Sequence, residues 1–288
     1  MSSRVALATA REVADLDAEG QLLAAELRER GAQVSAAVWD DEGVDWHGFD
    51  LVVVRSTWDY AARVTQFLAW AERVSSTTRL ENPLSLLRWT TDKHYLLDLE
   101  RAGVPVVPSV FVEPGQGDTH ALLGVEHVAK PAVSAGSKDT LRLRPEEQHR
   151  SRQHVAGLLG QGRSVLVQPY LSQVDDAGET AVVFVDGEIS HAARKGALLR
   201  PGARLVEGLF AEEDIGPRDA SPAERSAARA AMAALPLDHP PLYARVDLLP
   251  TPDGPLVLEL ELAEPSLFLE HVPGSAARLA DAIMVRAR

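Results

Sequence analysis

The chain has 288 residues, 45% of them apolar, no cysteine, and a formal net charge of −13 at pH 7. That charge argues against nucleic acid or an anionic membrane as partner, although it leaves room for a local basic pocket. The absence of cysteine excludes disulfides, thiolate catalysis and thiolate metal sites, and makes the cytoplasm the expected compartment.

The predicted elements start with a strand at Val5 to Ala8, a helix at Asp17 to Arg30, strands at Val34 to Val38 and Leu51 to Val54, and a helix at Arg63 to Val74. Gly31 can supply the left-handed cap of the first helix. Charged Arg11, Glu12 and Asp15 follow Met1 to Ala8, and no segment reaches eighteen apolar residues, so neither a signal h-region nor a membrane span is expected. Residues 1–82 therefore read as an open, Rossmann-like α/β lobe.

Asn82-Pro83 leads into a predicted helix from Asp92 to Ala102, stopped by Gly103 ahead of Pro105 and Pro108, and a middle lobe is expected over 83–165. The texture then changes to strands at Val125 to Ala129, Ser164 to Pro169, Thr180 to Val185, Glu188 to Ala193, Leu242 to Leu249 and Leu256 to Leu262. Asp186-Gly187 and Asp253-Gly254 supply hairpin turns, which makes this part largely antiparallel and α+β in character. Helices are expected at Pro145 to Leu159, at Ser221 to Leu235 behind a Ser-Pro start, and at Ala276 to Arg288. The last, in a C-terminal lobe over 166–288, has an apolar face that could pack on its own lobe or on a second copy in a homodimer.

Several signatures are absent: a G-x-x-x-x-G-K-[ST] loop, a G-x-G-x-x-G run after the first strand, H-E-x-x-H and G-x-S-x-G. The nine histidines have no ligand spacing. The most informative run is Arg245-Val246-Asp247 followed, across Asp253-Gly254, by Glu259-Leu260-Glu261. Strand alternation puts Arg245 and Asp247 on one face and Glu259 and Glu261 on one face. If the hairpin pairs, three carboxylates converge, and they repel unless a hard cation such as magnesium or manganese neutralises them. Magnesium takes only one or two carboxylates and completes its shell with water and phosphate oxygens, so the cluster implies a nucleotide.

The pattern Arg-x-Asp followed by Glu-x-Asn or a close variant resembles the metal-binding end of ATP-grasp ligases. Asn82-Pro83, Asp92-Lys93, Ala129-Lys130-Pro131, Ser134-Ala135-Gly136-Ser137 and the VLVQPYL run from Val165 to Leu171 resemble that family's other motifs in order. The resemblance implies an ATP-grasp fold with ATP and Mg²⁺, or Mn²⁺, as cofactors. It implies Lys93 and Lys130 on the phosphates beneath a loop containing Ser134, Gly136 and Ser137. The hinge Gln168, Pro169, Tyr170 and Leu171 would read adenine, and the ribose acid is left open among Asp175, Asp176 and Glu179. Lys195 would point at the transferring phosphate, Asp247, Glu259 and Glu261 would be the metal ligands, and Arg245 would stabilise developing charge. Glu261 departs from the family's usual asparagine and adds a charge that could serve the metal or a substrate amine.

After the strand Leu51 to Val54 comes Arg55-Ser56-Thr57-Trp58-Asp59-Tyr60. Sites in open α/β lobes gather at the carboxyl ends of strands. This run offers a carboxylate fork in Arg55, an amine acceptor in Asp59 and aromatic walls, the equipment for a small zwitterion. With the ending LELELAEPSLF it resembles the ATP-grasp branch that includes O-ureido-D-serine cyclo-ligase. The expected function is therefore an ATP- and Mg-dependent carbon–nitrogen ligase acting on a small amino-acid-like substrate, with intramolecular cyclisation as one outcome. A ligase joining two amino acids and a non-catalytic nucleotide-binding protein are the alternatives.

Overall fold

The computed structural model describes residues 2–199 and 214–288. Four strands form the first sheet: β1 (Arg4–Thr9), β2 (Gln33–Val38), β3 (Leu51–Ser56) and β4 (Arg79–Glu81). It is parallel, in the order β2-β1-β3-β4, and is flanked by α1 (Ala18–Glu29) and α2 (Val64–Ser75). Period-2 alternation divides its side chains between two cores. Val5, Leu7, Leu51 and Val53 pack with Leu23 and Leu27 of α1, whereas Ala6, Ala8, Val52 and Val54 pack with Phe67 and Trp70 of α2. A strand buried on both faces reads as a continuous apolar run, which is why Leu51 to Val54 was legible. β4, three residues long, carries no such signal.

The helix expected from Asp92 to Ala102 is α4 (Tyr95–Arg101), and a further helix that was not expected, α3 (Leu84–Thr90), precedes it. Pro83 stands at the N-cap of α3, and Leu86 and Leu87 bury its inner face. Lys93 falls in the connection, where its N–H donates to the Ala132 carbonyl at 2.9 Å. The second sheet takes β5 (Val110–Val112), β6 (His127–Pro131), β7 (Leu141–Leu143) and β8 (Val165–Pro169), antiparallel in the order β5-β8-β6-β7, with α5 (Gln148–Leu159) packed on it. Because β8 hydrogen-bonds to β5 and β6, this sheet continues through Pro169, past the boundary expected at 165.

After the short α6 (Gln173–Ala177), the third sheet is built from β9 (Glu179–Val185), β10 (Glu188–Lys195) and β11 (Ile215–Pro217), then, beyond α7 (Pro222–Ala233), β12 (Tyr243–Leu249) and β13 (Leu256–Glu261). It is antiparallel throughout, in the order β11-β10-β9-β12-β13. Asp186 and Gly187 both take positive φ, 51° and 83°, the geometry a tight β9–β10 turn requires. α7 opens with the expected Ser221 cap on the Glu224 N–H at 3.3 Å. The chain closes with α8 (Ser275–Arg286), which packs into the same core as α1. Buried Asn82 ties the first lobe to the third sheet, donating to the carbonyls of Tyr243 (2.9 Å) and Leu262 (2.7 Å) and accepting from the Leu242 N–H at 2.8 Å. No helix among the described residues is long and apolar enough to cross a membrane.

Candidate active site

The β12–β13 register sets Arg245 opposite Glu261 and Asp247 opposite Glu259. All four share a face, while Val246, Leu248 and Leu260 pack behind them. One oxygen from each of Asp247, Glu259 and Glu261 lies within 4.8 Å of the others. Four cations answer them. Arg245 grips both Asp247 oxygens at 2.9 Å and reaches Glu261 at 2.5 Å. Lys195 Nζ donates to Asp247 at 2.8 Å and lies 3.1 Å from Glu179. Lys130 pairs with Glu259 Oε1, and Lys93 Nζ is 3.8 Å from that same oxygen. Two lysines 37 positions apart in sequence thus meet at one carboxylate oxygen.

Burial and charge separate these carboxylates. Burial would raise Glu259, but Lys130, Lys93 and Lys195 hold it well below the usual range. Asp247 is likewise held down against burial, by Arg245 and Lys195. Glu261 is pushed up to about 8 by burial and by Asp247, Glu259 and Glu264, against the pull of Arg245. An all-oxygen donor set whose third member favours its proton is one a hard divalent cation would complete.

These residues floor a cleft of 390 Å³ between the second and third sheets. Lys130, Gln168, Pro169, Tyr170 and Leu171 line it from the middle lobe, together with Ser134, Gly136 and Ser137. Lys93 anchors that loop by donating to the Ser134 carbonyl at 2.8 Å and its hydroxyl at 3.1 Å. Gly136 and Ser137 take successive positive φ of 60° and 58° there. Gln168 is 2% exposed; its Nε2 donates to Ser109 at 3.0 Å, and its buried Oε1 has no hydrogen-bond partner among the described residues. Glu179, Lys195 and Arg245 complete the lining on the third-sheet side, and Trp58 and Tyr60 close the end toward the first lobe.

Six expected site residues are not brought to the cleft lining. Arg142 on β7 holds both oxygens of Asp175 at 3.0 and 3.2 Å, the Tyr170 hydroxyl donates to it at 2.5 Å, and Asp176 is exposed outside the lining. Of the three acids offered for ribose, only Glu179 lines the cleft. In the hexapeptide, Arg55 is 3% exposed and donates to Glu19 at 3.3 Å and to the Pro265 carbonyl at 3.2 Å. Ser56 faces Thr9 at 3.1 Å, and Thr57 is fully buried. Asp59 accepts from Trp39 at 2.8 Å and pairs with Arg63. Arg55 is therefore no open carboxylate fork and Asp59 no open amine acceptor: β3 ends inside the lobe, where Arg55 is buried with Nη2 on Glu19 and the Pro265 carbonyl and with Nε and Nη1 unpartnered among the described residues, while Asp59 is held by Trp39 and Arg63.

Sequence reasoning missed what these residues hold. Each carbonyl from Glu264 to Leu267 accepts from a side chain: Trp58 at 3.3 Å, Arg55 at 3.2 Å, Arg245 at 2.9 Å and His191 at 2.6 Å in turn. The N–H groups of Leu267 and Leu269 donate to the two oxygens of Glu19 at 2.9 and 3.0 Å. Glu19 lies in the first turn of α1 and carries no motif that would distinguish it from a solvated helix acid. Glu264, on the strapped segment, is 7% exposed and lines the cleft.

Three sheets in this arrangement, with lysines and a carboxylate hairpin meeting between the last two, define an ATP-grasp ligase. "Cycloserine biosynthesis protein DcsG" of Streptomyces lavendulae is 43% identical over 270 residues, 89% of each chain. The crystal structure of D-cycloserine synthetase DcsG matches with a TM-score of 0.91 at 39% identity, over 99% of this chain and 100% of that one. D-Alanine–D-alanine ligase from Bacillus anthracis, solved with ATP, shares the fold at 16% identity, with a TM-score of 0.69 over 100% of this chain and 97% of its own. A family profile described as "D-cycloserine synthetase DcsG, N-terminal domain" matches residues 5–82. The chain belongs to the DcsG family and is an ATP-dependent carbon–nitrogen ligase.

Proposed function

We propose that the enzyme closes the ring of D-cycloserine from O-ureido-D-serine in the cytoplasm, using magnesium ATP. The observation that carries this reading is the cleft itself, with a cation-ringed carboxylate trio at its floor and the aromatic pair Trp58 and Tyr60 at its other end. Asp247, Glu259 and Glu261 would hold the metal, which supplies charge neutralisation at the phosphate oxygens; manganese is expected to substitute. Lys93 and Lys130 would exchange Glu259 for phosphate oxygens, and Lys195 and Arg245 would stabilise charge on the transferring phosphoryl group. Gln168 Oε1, a buried acceptor lacking a donor, suits the adenine amino group.

In the proposed reaction the substrate carboxylate takes the γ-phosphoryl group, giving an acyl phosphate and ADP. The oxygen-bound ureido nitrogen, giving up its proton, then attacks the acyl carbon and expels phosphate, and water cleaves the N-carbamoyl group, which leaves as carbamic acid and breaks down to CO₂ and NH₃. Attack within one molecule favours ring closure over capture of a second amine. Incubation with ATP, Mg²⁺ and O-ureido-D-serine should release ADP with a product of D-cycloserine's mass. A joined product from two amino acids would favour the two-substrate ligase instead. A missing Mg-dependent thermal shift with nucleotide would remove both, since ligand at 100 times its Kd stabilises by about 2.7 kcal/mol. A homodimer is tested by sedimentation of the same preparation.

A further inference from the structure

The hexapeptide's Asp59 is closed to a substrate amine, and so is Glu19, whose oxygens serve Leu267, Leu269 and Arg55. An amino-acid substrate still needs an acceptor for its ammonium group in the first-lobe end of the cleft. Asp17 and Glu270 reach the lining but are half-buried and exposed, respectively. Glu264 is different: it is buried and lines the cleft together with Tyr60. Its backbone is fixed on both sides, the Glu264 carbonyl by Trp58 and the Pro265 carbonyl by Arg55.

We propose that Glu264, held in place by its fixed backbone, is the acceptor for the substrate's ammonium group. This rests on the reading that the cleft seats an amino acid beside the nucleotide. An α-amino acid carries its carboxylate one carbon from its ammonium. Seating the ammonium at Glu264 brings the carboxylate toward Arg245, which holds the Ser266 carbonyl two residues further on at 2.9 Å and faces the metal-type carboxylates. The residue thereby sets both specificity for an amine and the direction of the reacting carboxylate. Burial, opposed by Arg245, Lys93 and Arg55, pushes the Glu264 carboxyl up to about 7, so the cations around it do not fully hold its charge and a bound ammonium would.

The test is calorimetric binding in the presence of magnesium and a non-hydrolysable ATP analogue. The probes are O-ureido-D-serine and its des-amino analogue, 3-(ureidooxy)propanoate. Wild type should prefer the amine-bearing probe by about tenfold or more, and Glu264→Gln should bind the two equally while its nucleotide-induced thermal shift stays at the wild-type value. A Glu264→Gln variant that still discriminates, or a wild type that does not, overturns the proposal. If Glu264→Gln does not fold, Glu264→Asp, which withdraws the carboxylate by one methylene, carries the test: a loss of several-fold for the amine-bearing probe alone supports the proposal, and an equal loss for both probes or no loss for either overturns it. Wild type that binds nucleotide and another amino acid but not O-ureido-D-serine refutes the substrate assigned above, and the comparison is then made with that amino acid and its des-amino form. Wild type that binds no ammonium-bearing ligand overturns both.

Discussion

Glu19→Ala should destabilise the enzyme far more than an acid in the first turn of a helix ordinarily would. Glu19 is 6% exposed and its side chain accepts three hydrogen bonds, from Arg55 and from the N–H groups of Leu267 and Leu269. Removing one member of a buried ion pair costs about 3–5 kcal/mol, and each orphaned buried N–H adds about 1–3 kcal/mol. These terms share one site and do not add fully, so a net loss of about 5 kcal/mol is expected. In a chain of this size that corresponds to a fall in Tm of about 10–20 °C by calorimetry. Glu19→Gln keeps one acceptor oxygen and the shape, and should lose about half as much. A Glu19→Ala loss under about 1.5 kcal/mol, or a glutamine variant worse than the alanine one, would show that Glu19 does not strap the 264–269 segment.

Two pH dependences follow from the buried titratable groups. In the free site Glu261 is pushed up to about 8, so at pH 7 it carries a proton that a divalent cation must displace. Apparent affinity for the magnesium nucleotide should therefore weaken as pH falls below about 8, by about tenfold per unit; titration calorimetry on Glu261→Gln should give a flatter profile, and equal slopes would refute the assignment. In the middle lobe, burial and the nearby charge of His127 hold His120 down to about 4, below the ordinary histidine value of about 6.5. The folded state favours the neutral ring, so stability is fully present above pH 6.5 and is lost as pH falls toward 4, by at most about 3 kcal/mol. Denaturant titrations should show the acid limb shallower in His120→Gln, and an unchanged limb would place the acid sensitivity elsewhere.

Legibility tracked the length and patterning of each element. β3, with a four-residue apolar run, and β9, β12 and β13, with longer apolar or alternating stretches, could be read because such patterns leave little ambiguity about face, and β10 could be read from the Asp186-Gly187 turn that pairs it with β9. β4, β5, β7 and β11 have three residues each, too few for any period to show. They exist because neighbouring strands offer them partners, a tertiary cause with no local trace. α3 was missed for the same reason. Its seven residues follow Pro83 directly, and the helix signal nearest to it belongs to α4.

At the site, parity said correctly which residues of the β12–β13 hairpin share a face, because both strands are regular through the cluster. It could not say what stands above a strand end. Arg55 and Asp59 follow β3 at the position where open α/β lobes usually place ligand-binding groups, but the segment 264–269 and the Trp39–Arg63 pair occupy that space. The same limit applied to charge. Three converging carboxylates suggested a metal by repulsion alone, yet Lys93, Lys130, Lys195 and Arg245 already hold Asp247 and Glu259 ionised without one and leave the repulsion on Glu261. On the proposed reading, what calls for the cation is the triphosphate: lysines drawn to its oxygens leave Asp247, Glu259 and Glu261 uncompensated, so metal and nucleotide would enter together rather than in turn.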